Sequence, residues 1–312
     1  MNNNPLVSVV VITYNSSKYV LETLESAKNQ TYQNIELIIS DDCSTDDTTK
    51  ICREWVEKNR ERFVRAEIIT VEKNTGIPAN CNRGYKKARG EWVKGIAGDD
   101  ALYPNVIECY VNFTKLYPEA RIVHARADHY KNVFSSPTLD KGYLKKYPVS
   151  FLKQKCLDSR KQYNLLCIGC LVEAPTVFMQ RNLWLEMDGF DERIPMCEDW
   201  PMWLKVTKSG VPFYFMDQLA VKYRVSQDST FGKESVAFLF KRFFEIDNMI
   251  YKLYIKRDAN ASVVFMNRYD FYLRYFLDKL RLNNIGIMAK LIYFFLNMPY
   301  RLCSKVIWHI GR

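Results

Sequence analysis

Val7 to Thr13 is an unbroken apolar run rich in β-branched residues, the pattern of a strand buried on both faces. Ser16 or Ser17 then stands where it can cap a helix, in which Val20, Leu21, Leu24 and Ala27 recur at helical spacing. The alternation repeats. Ile35 to Ser40 and Ala66 to Val71 read as the second and third strands. Ser44 or Thr45 can cap the helix between them, with Asp46 and Asp47 favourable in its first turn and Ile51 and Trp55 on one face. Asn74 to Gly76 is turn chemistry, a helix follows over Ala79–Ala88, Gly90 stops it, and Trp92–Ala97 is the fourth strand. Strands and helices alternating at these lengths predict a parallel α/β sheet, whose ligands bind at the carboxyl ends of its strands. Tyr14–Asn15, Asp41–Asp42 and Gly98–Asp99–Asp100 follow three of those strands, which points to one nucleotide site built from separate segments.

Beyond residue 100 the pattern loosens. Asn105–Tyr117 reads as a helix closed by Pro118, and Arg121–Ala125 as a short strand. Residues 128–165 show no clear period, and long irregular stretches are usually functional or mobile. A strand over Pro175–Gln180, a short helix over Asn182–Met187 stopped by Gly189, and a helix over Asp199–Ser209 follow, then short strands at Phe213–Phe215 and Ala220–Tyr223. From Phe231 the chain is almost free of Gly and Pro and rich in Phe, Tyr, Lys and Arg. It predicts amphipathic helices near 235–256, 260–282 and 285–308. The expected division is a catalytic domain over 1–230, its halves meeting near residue 110, and a helical extension over 231–312.

Composition adds limits. The 312 residues are 48% hydrophobic and 26% charged, an ordinary globular balance. A net charge of +10 suits nucleic acid, an anionic membrane surface or a phosphorylated small substrate alike. The nine cysteines form no disulfide framework and point to a reducing compartment. Cys167 and Cys170 make a CxxC, read as two buried small side chains because no second pair or suitable histidine accompanies it. The N-terminus lacks a charged region and does not read as a signal peptide, and no run of 18 apolar residues predicts a membrane span. The cytoplasm is the expected location.

The chemistry concentrates in acids. Asp99–Asp100 offers hard oxygen ligands of the kind that Mg²⁺ or Mn²⁺ takes beside substrate phosphates, though a turn with two solvated acids fits the same residues. Asp41–Asp42 before Cys-Ser-Thr is also good turn chemistry. Glu198–Asp199 opens a helix, where a capping role competes with that of a general base beside Trp200 and Trp203.

In order along residues 6–228, these pieces resemble the family 2 glycosyltransferases of the GT-A fold. They are Val7–Thr13–Tyr14–Asn15, Gln30–Thr31, Asp41–Asp42–Cys43–Ser44–Thr45–Asp46, Asn74–Thr75–Gly76 with Asn82, and Ala88–Arg89–Gly90–Glu91–Trp92. Gly98–Asp99–Asp100, Gly189–Phe190–Asp191–Glu192, Glu198–Asp199–Trp200 and Tyr223–Arg224 complete the series. The resemblance implies a Rossmann-like, mostly parallel sheet and an inverting transfer from a nucleotide-sugar, UDP-linked by preference. Tyr14, Asn15, Asp42, Asn74, Gly76, Asn82 and Asp99 would bind the donor. Asp99 and Asp100 would hold Mn²⁺ or Mg²⁺, Asp199 would act as base with Glu198 beside it, and Trp200, Tyr223 and Arg224 would lie on the acceptor side. The acceptor so implied is a glycan or polyprenyl-linked glycan in cell-surface polysaccharide synthesis. Three positions depart from the family pattern: Ala97 where many relatives carry an acid, Ser226–Gln227 where a histidine is frequent, and Cys81 where an arginine is common.

Residues 286–296 are strongly apolar, with Arg301, Lys305 and Arg312 beyond, and fit either a membrane interface beside anionic lipid or a docked helix. Other classes fit less. No nucleic-acid-binding module accompanies the basic charge. A nucleotidyltransferase would show a Gly-rich basic loop after the first strand, where Tyr14–Asn15–Ser16–Ser17 stand, and an idle scaffold would not need all four acids. The oligomeric state stays open.

Overall fold

The computed structural model describes residues 4–135, 158–225, 241–282, 286–300 and 302–303. Strands β1 (Val7–Thr13), β2 (Ile35–Asp41), β3 (Arg65–Ile69) and β4 (Trp92–Ala97) lie side by side in the order β3-β2-β1-β4, every neighbour parallel. Helices α1 (Val20–Lys28), α2 (Thr48–Asn59) and α3 (Ile77–Lys87) make the crossovers. The continuous apolar run of β1 is explained by two cores. Val10 packs on one face with Ile38, Tyr85 and Val93, while Val7, Val9 and Val11 pack on the other with Leu24, Leu37 and Trp55. Each such side chain contributes about 1.5–3 kcal/mol on burial, so the strand's pattern outweighs any local preference.

Past β4 the sheet becomes mixed. β5 (Ala101–Leu102), α4 (Val106–Leu116), β6 (Ile122–Lys131), α5 (Ser159–Leu166), β7 (Val177–Gln180), α6 (Arg181–Glu186), α7 (Asp199–Lys208) and β8 (Tyr214–Val225) follow. The eight strands run β3-β2-β1-β4-β7-β6-β8-β5, with β7 antiparallel to β4 and β6, and β8 parallel to β6 but antiparallel to β5. The two short strands expected at 213–215 and 220–223 are one strand. Its register against β6 slips on either side of Arg126, which interrupts the apolar alternation that would have joined them. Within the stretch that showed no period, Asp158 caps α5 by accepting from the backbone N–H groups of Arg160 and Lys161; residues 136–157 lie outside the described residues.

The serines and threonines expected to cap α1 and α2 are used otherwise. The cap positions are Tyr19 and Asp47, neither with a side-chain cap bond. Instead the Ser44 hydroxyl accepts from Asn15 N–H at 2.8 Å, Thr48 Oγ1 accepts from Ser16 N–H at 2.7 Å, and Asp46 accepts from Ser17 N–H at 3.1 Å. The β1–α1 loop is thereby tied to the β2–α2 loop.

At the opposite end of the sheet Glu36 is buried on β2. It accepts from the Ser8 hydroxyl (2.5 Å), Arg89 N–H (2.5 Å) and Gly90 N–H (3.0 Å), and pairs with Arg65 at 3.1 Å. An unpaired buried carboxylate would cost several kcal/mol, so these partners explain the Arg89–Gly90 motif as structural. A Cβ on Gly90 would lie 2.6–2.7 Å from Ser8 and the Leu6 carbonyl, which requires glycine there.

Three further helices follow: α8 (Lys241–Ile250), continued by a π-helical turn over Tyr251–Ile255, α9 (Ala261–Lys279) and α10 (Ile287–Leu296). The first two dock on the sheet domain: Ile246, Ile250, Ile255 and Val263 join the core that holds Trp184 and Trp203. Tyr254 donates to Asp191 at 2.5 Å, and Asn267 Nδ2 donates to the Cys167 carbonyl at 3.0 Å. α10 rests on α9 through Tyr269, whose hydroxyl donates to the Leu296 carbonyl at 2.5 Å, and through Tyr293, which donates to Asp270 at 3.2 Å. Its outer face leaves Ile287, Met288, Leu291 and Phe295 exposed. Among the described residues no helix is long and apolar enough to cross a membrane.

Candidate active site

The carboxyl ends of β1, β2 and β4 share one edge of the sheet, so Tyr14, Asp41–Asp42 and Asp99–Asp100 are neighbours, as parallel pairing requires. Tyr14 is 50% exposed, its ring free to stack. Asn15 holds a left-handed backbone (φ 49°), and its side-chain oxygen accepts from Thr45 N–H at 2.8 Å.

Asp42 is almost wholly buried. One of its oxygens accepts from the Thr75 hydroxyl (2.6 Å) and Arg83 (2.8 Å), the other from Thr75 N–H (2.9 Å) and Gly76 N–H (2.8 Å). These bonds hold its carboxyl below the usual carboxylate range despite burial. Four bonds use the four acceptor positions of a carboxylate, so Asp42 shapes the Asn74–Gly76 turn, where Gly76 has φ +90° and Asn74 Oδ1 accepts from Gly76 N–H. Arg83, two residues after the Cys81 position where relatives carry an arginine, completes this knot.

Asn82 has a different place from that expected of a donor contact. Its amide donates to the Phe190 carbonyl (2.9 Å) and to Glu192 (2.7 Å), and its oxygen accepts from Phe190 N–H (2.8 Å). With its amide occupied and its side chain buried, Asn82 fastens α3 to the Gly189–Glu192 loop. A Cβ on Gly189, where φ is +68°, would lie 2.8 Å from Asn82 Oδ1.

The Asp99–Asp100 turn rests on Arg224. The Arg224 backbone N–H donates to Asp100 Oδ1 at 2.8 Å and its Nε to the Asp99 carbonyl at 2.7 Å, while the guanidinium pairs with Glu22 at 3.0 Å and lies between the rings of Tyr19 and Phe134. Arg224 is fully buried, so it braces the acids and is not presented to an acceptor. The Trp200 indole is also buried and donates to the Leu166 carbonyl at 2.7 Å. Burial pushes the Asp99 carboxyl up, and burial with the neighbouring Asp99 charge pushes Asp100 well up.

The second acid pair opens α7. Asp199 Oδ1 accepts from Trp200 N–H at 2.7 Å, and the Cys170 and Cys197 thiols each lie 3.5 Å from one of its oxygens. Burial and the adjacent Asp199 push Glu198 up to about 8, and burial raises Asp199 as well. Tyr223, half-buried on β8, joins the two pairs: it lies close enough to Asp99, Asp100 and Asp199 for all three charges to act on its hydroxyl. Cys81 on α3 similarly senses Asp42, Glu198 and Asp199. Two residues that the sequence did not single out border this cleft: His129 pairs with Glu173 at 3.0 Å and stands opposite Tyr223 in the β6–β8 register.

Residues 8–172 match the model of glycosyl transferase family 2. The chain belongs to this family. Its sequence is 28% identical to chondroitin synthase of Escherichia coli over 267 residues, 84% of this chain and 35% of that protein. It is 28% identical to an uncharacterized glycosyltransferase of Rickettsia felis, covering 70% of this chain and 34% of that one. It thus spans about a third of the length of these two relatives. The putative glycosyltransferase EpsE of Bacillus subtilis is 26% identical over 80% of this chain and 81% of its own. Among solved structures, S. aureus TarS 1-349 in complex with UDP-GlcNAc superposes with a TM-score of 0.63 at 19% identity, over 96% of this chain and 81% of that one. The mannosyltransferase PcManGT of Pyrobaculum calidifontis, in complex with GDP-Man and Mn2+, gives 0.53 at 15% identity over 99% and 74%. The fold of this family 2 chain is therefore GT-A, with C-terminal helices added.

A divalent cation fits the donor set at Asp99–Asp100. The Asp99 charge and burial raise Asp100, and one Asp100 oxygen is spent on the Arg224 backbone. Among the described residues no third His, Cys, Asp or Glu completes a cage. That is the arrangement of a hard cation held by one or two carboxylates, substrate phosphates and water. The Ser226–Gln227 departure lies outside the described residues.

Proposed function

We propose that this chain transfers a sugar with inversion from a nucleotide-sugar, a UDP-sugar by preference, to a hydroxyl of a glycan or polyprenyl-linked acceptor in cell-surface polysaccharide synthesis. The observation that carries the reading is that two raised acid pairs, Asp99–Asp100 and Glu198–Asp199, are both near enough for their charges to act on the Tyr223 hydroxyl. The complexes of TarS with UDP-GlcNAc and of PcManGT with GDP-Man and Mn2+ support a nucleotide-sugar donor.

Residues 1–110 form the donor half, 111–230 the acceptor half and 231–312 the helical extension. Tyr14 stacks on the base, and the Asn74–Gly76 turn shaped by Asp42 lies along the nucleotide. Asp99 and Asp100 would hold Mn²⁺ or Mg²⁺, which would supply positive charge to the departing diphosphate. Asp199 takes the proton of the acceptor hydroxyl. The freed oxygen forms the new bond to the anomeric carbon as the bond from that carbon to the diphosphate oxygen breaks, and the displacement inverts the centre. Glu198 holds a proton beside it. Asp199 alone has outside donors, the Trp200 N–H and two thiols, which favour charge on Asp199 rather than Glu198.

The exposed apolar face of α10, with Lys290 exposed on the helix, supports peripheral contact with an anionic membrane surface on the cytoplasmic side.

The test is UDP release and binding with UDP-, GDP- and dTDP-sugars, with and without Mn²⁺, on the wild type and Asp199→Asn. Metal-dependent release lost in the variant, with UDP still bound, is the expected result. Failure of every nucleotide to bind with metal present overturns the reading.

A further inference from the structure

Asp199 is gripped by two cysteines far apart in sequence. Cys170 lies in the loop after α5 and Cys197 in the loop before α7. Cys170 Sγ stands 3.5 Å from Asp199 Oδ2, and Cys197 Sγ stands 3.5 Å from Oδ1, an oxygen already bonded to Trp200 N–H at 2.7 Å. Both side chains are partly accessible and pack at the edge of the hydrophobic core. Cys167 is buried in the core, while Cys170 packs at the core's edge with its thiol 3.5 Å from both the Asp199 carboxylate and the Val172 carbonyl, so it packs and also reaches the acid.

We infer that Cys170 and Cys197 are positioning residues that hold the Asp199 carboxylate in place with S–H donors while leaving it basic. This rests on the proposal that Asp199 is the base. A carboxylate needs donors to fix its plane, yet each hydroxyl or amide donor stabilises its charge and weakens it as a base. A thiol is a weak donor, so it orients at small cost in basicity. Burial and the Asp199 and Glu198 charges push both thiols well above their ordinary range, so they remain S–H across neutral pH and act as donors rather than as nucleophiles. The groups facing Asp199 from the packed elements are Glu198 on its own segment, Cys81 of α3, Tyr223 of β8, and the two thiols. Among the described residues no cation is among the groups that shift Asp199, so replacing a thiol leaves no stronger counter-charge there to mask the effect.

The readout is the titration of the Asp199 side-chain carboxyl carbon by NMR in the full chain, its resonance identified by its loss in Asp199→Asn. Serine at either position, a stronger donor, moves the Asp199 titration to lower pH, and alanine moves it to higher pH. A residue that merely fills space gives no such opposition of sign. UDP release from UDP-GlcNAc with Mn²⁺ follows: Cys170→Ser and Cys170→Ala each lose about fivefold in kcat with KM for the donor little changed, and the acid limb shifts in those same opposite directions. Titrations that stay put, or that move the same way in both variants, overturn the inference. Where a cysteine variant does not fold, the infrared S–H stretching band of the unaltered cysteines is compared between wild type and Asp199→Ala; an unshifted band is equally fatal. Full turnover in Asp199→Asn would remove the base reading itself, whereas a dead Asp199→Asn with unmoved titrations would remove only the role of the thiols.

Discussion

The two acid pairs of the cleft have the same raw material and opposite surroundings. Asp99–Asp100 lies over a guanidinium, takes a backbone N–H from Arg224, and crowds its own charges together. Among the described residues no cation shifts Glu198–Asp199, which is lined by thiols, a backbone N–H and buried aromatic rings. The pair braced by a buried cation is still pushed up, Asp99 by burial and Asp100 by burial and the Asp99 charge, so it needs more positive charge before both members ionise, which suits a metal and a diphosphate. A pair enclosed without one holds a proton between its members, which suits proton transfer. Neighbours, rather than the acids themselves, divide the labour.

The largest expected effect tests the second pair. Asp199→Asn keeps the shape and the Trp200 contact but cannot take a proton. UDP release should fall by about 10²–10⁴-fold, while UDP binding stays within a factor of about two. Equal loss of binding would mean that the pair serves the donor and that the division is wrong.

Next comes the first pair. Asp100→Asn, or removal of divalent metal by EDTA, should weaken UDP binding by about tenfold or more, and the variant's binding should no longer respond to Mn²⁺ in calorimetry. Asp199→Asn should keep that Mn²⁺ response, so the two variants separate cation work from proton work. A full Mn²⁺ response in Asp100→Asn together with Asp99→Asn would break the comparison.

The brace comes third. Arg224→Met removes the guanidinium but not the backbone N–H, leaving Glu22 and the Asp99 carbonyl without their partner. The expected loss is about 2–4 kcal/mol of stability in denaturant melts, with the Mn²⁺ affinity reduced as the turn loosens. A variant with wild-type stability would show that the guanidinium is not what holds the turn.

How much of this was legible in the sequence follows the same line between regions. The parallel half could be read nearly element by element, because strands buried on both faces carry long apolar runs and each crossover helix keeps its own period. The strand ends named the acids for the same reason. What the residues touch was not legible. Asp42, Asn82, Trp200 and Arg224 belong to the motifs, yet their polar atoms are spent on Thr75 and Gly76, Phe190, Leu166 and Asp99. Such long-range bonds leave no local periodicity. His129 meets Tyr223 only because β6 pairs with β8 across some ninety residues, with an irregular register. Cys170 was read as packing and Cys197 was not singled out, because nothing nearby in sequence tells a thiol which carboxylate it will face.

The smallest effect is also the cleanest discriminator, because it needs neither donor nor metal. Glu198 is held up at about 8 by burial and by Asp199, against an ordinary value of 4.5 in the unfolded chain. Below pH 4.5 both states carry the proton and this group does not oppose folding. Between 4.5 and about 8 the unfolded chain ionises while the folded one does not, so stability is lost steadily as the pH rises through that window. Glu198→Gln cannot ionise in either state. Its stability should therefore exceed that of the wild type by on the order of 2 kcal/mol at pH 8, and the difference should vanish toward pH 4. Urea melts at pH 4, 6 and 8 measure it. A gain that grows with pH shows a pair that carries a proton through the working range with no outside cation to draw it off, whereas Asp99–Asp100 has the Arg224 charge beside it. A constant offset across pH would instead make Glu198 an ordinary ionised acid, and the contrast between the two pairs would lose its electrostatic basis.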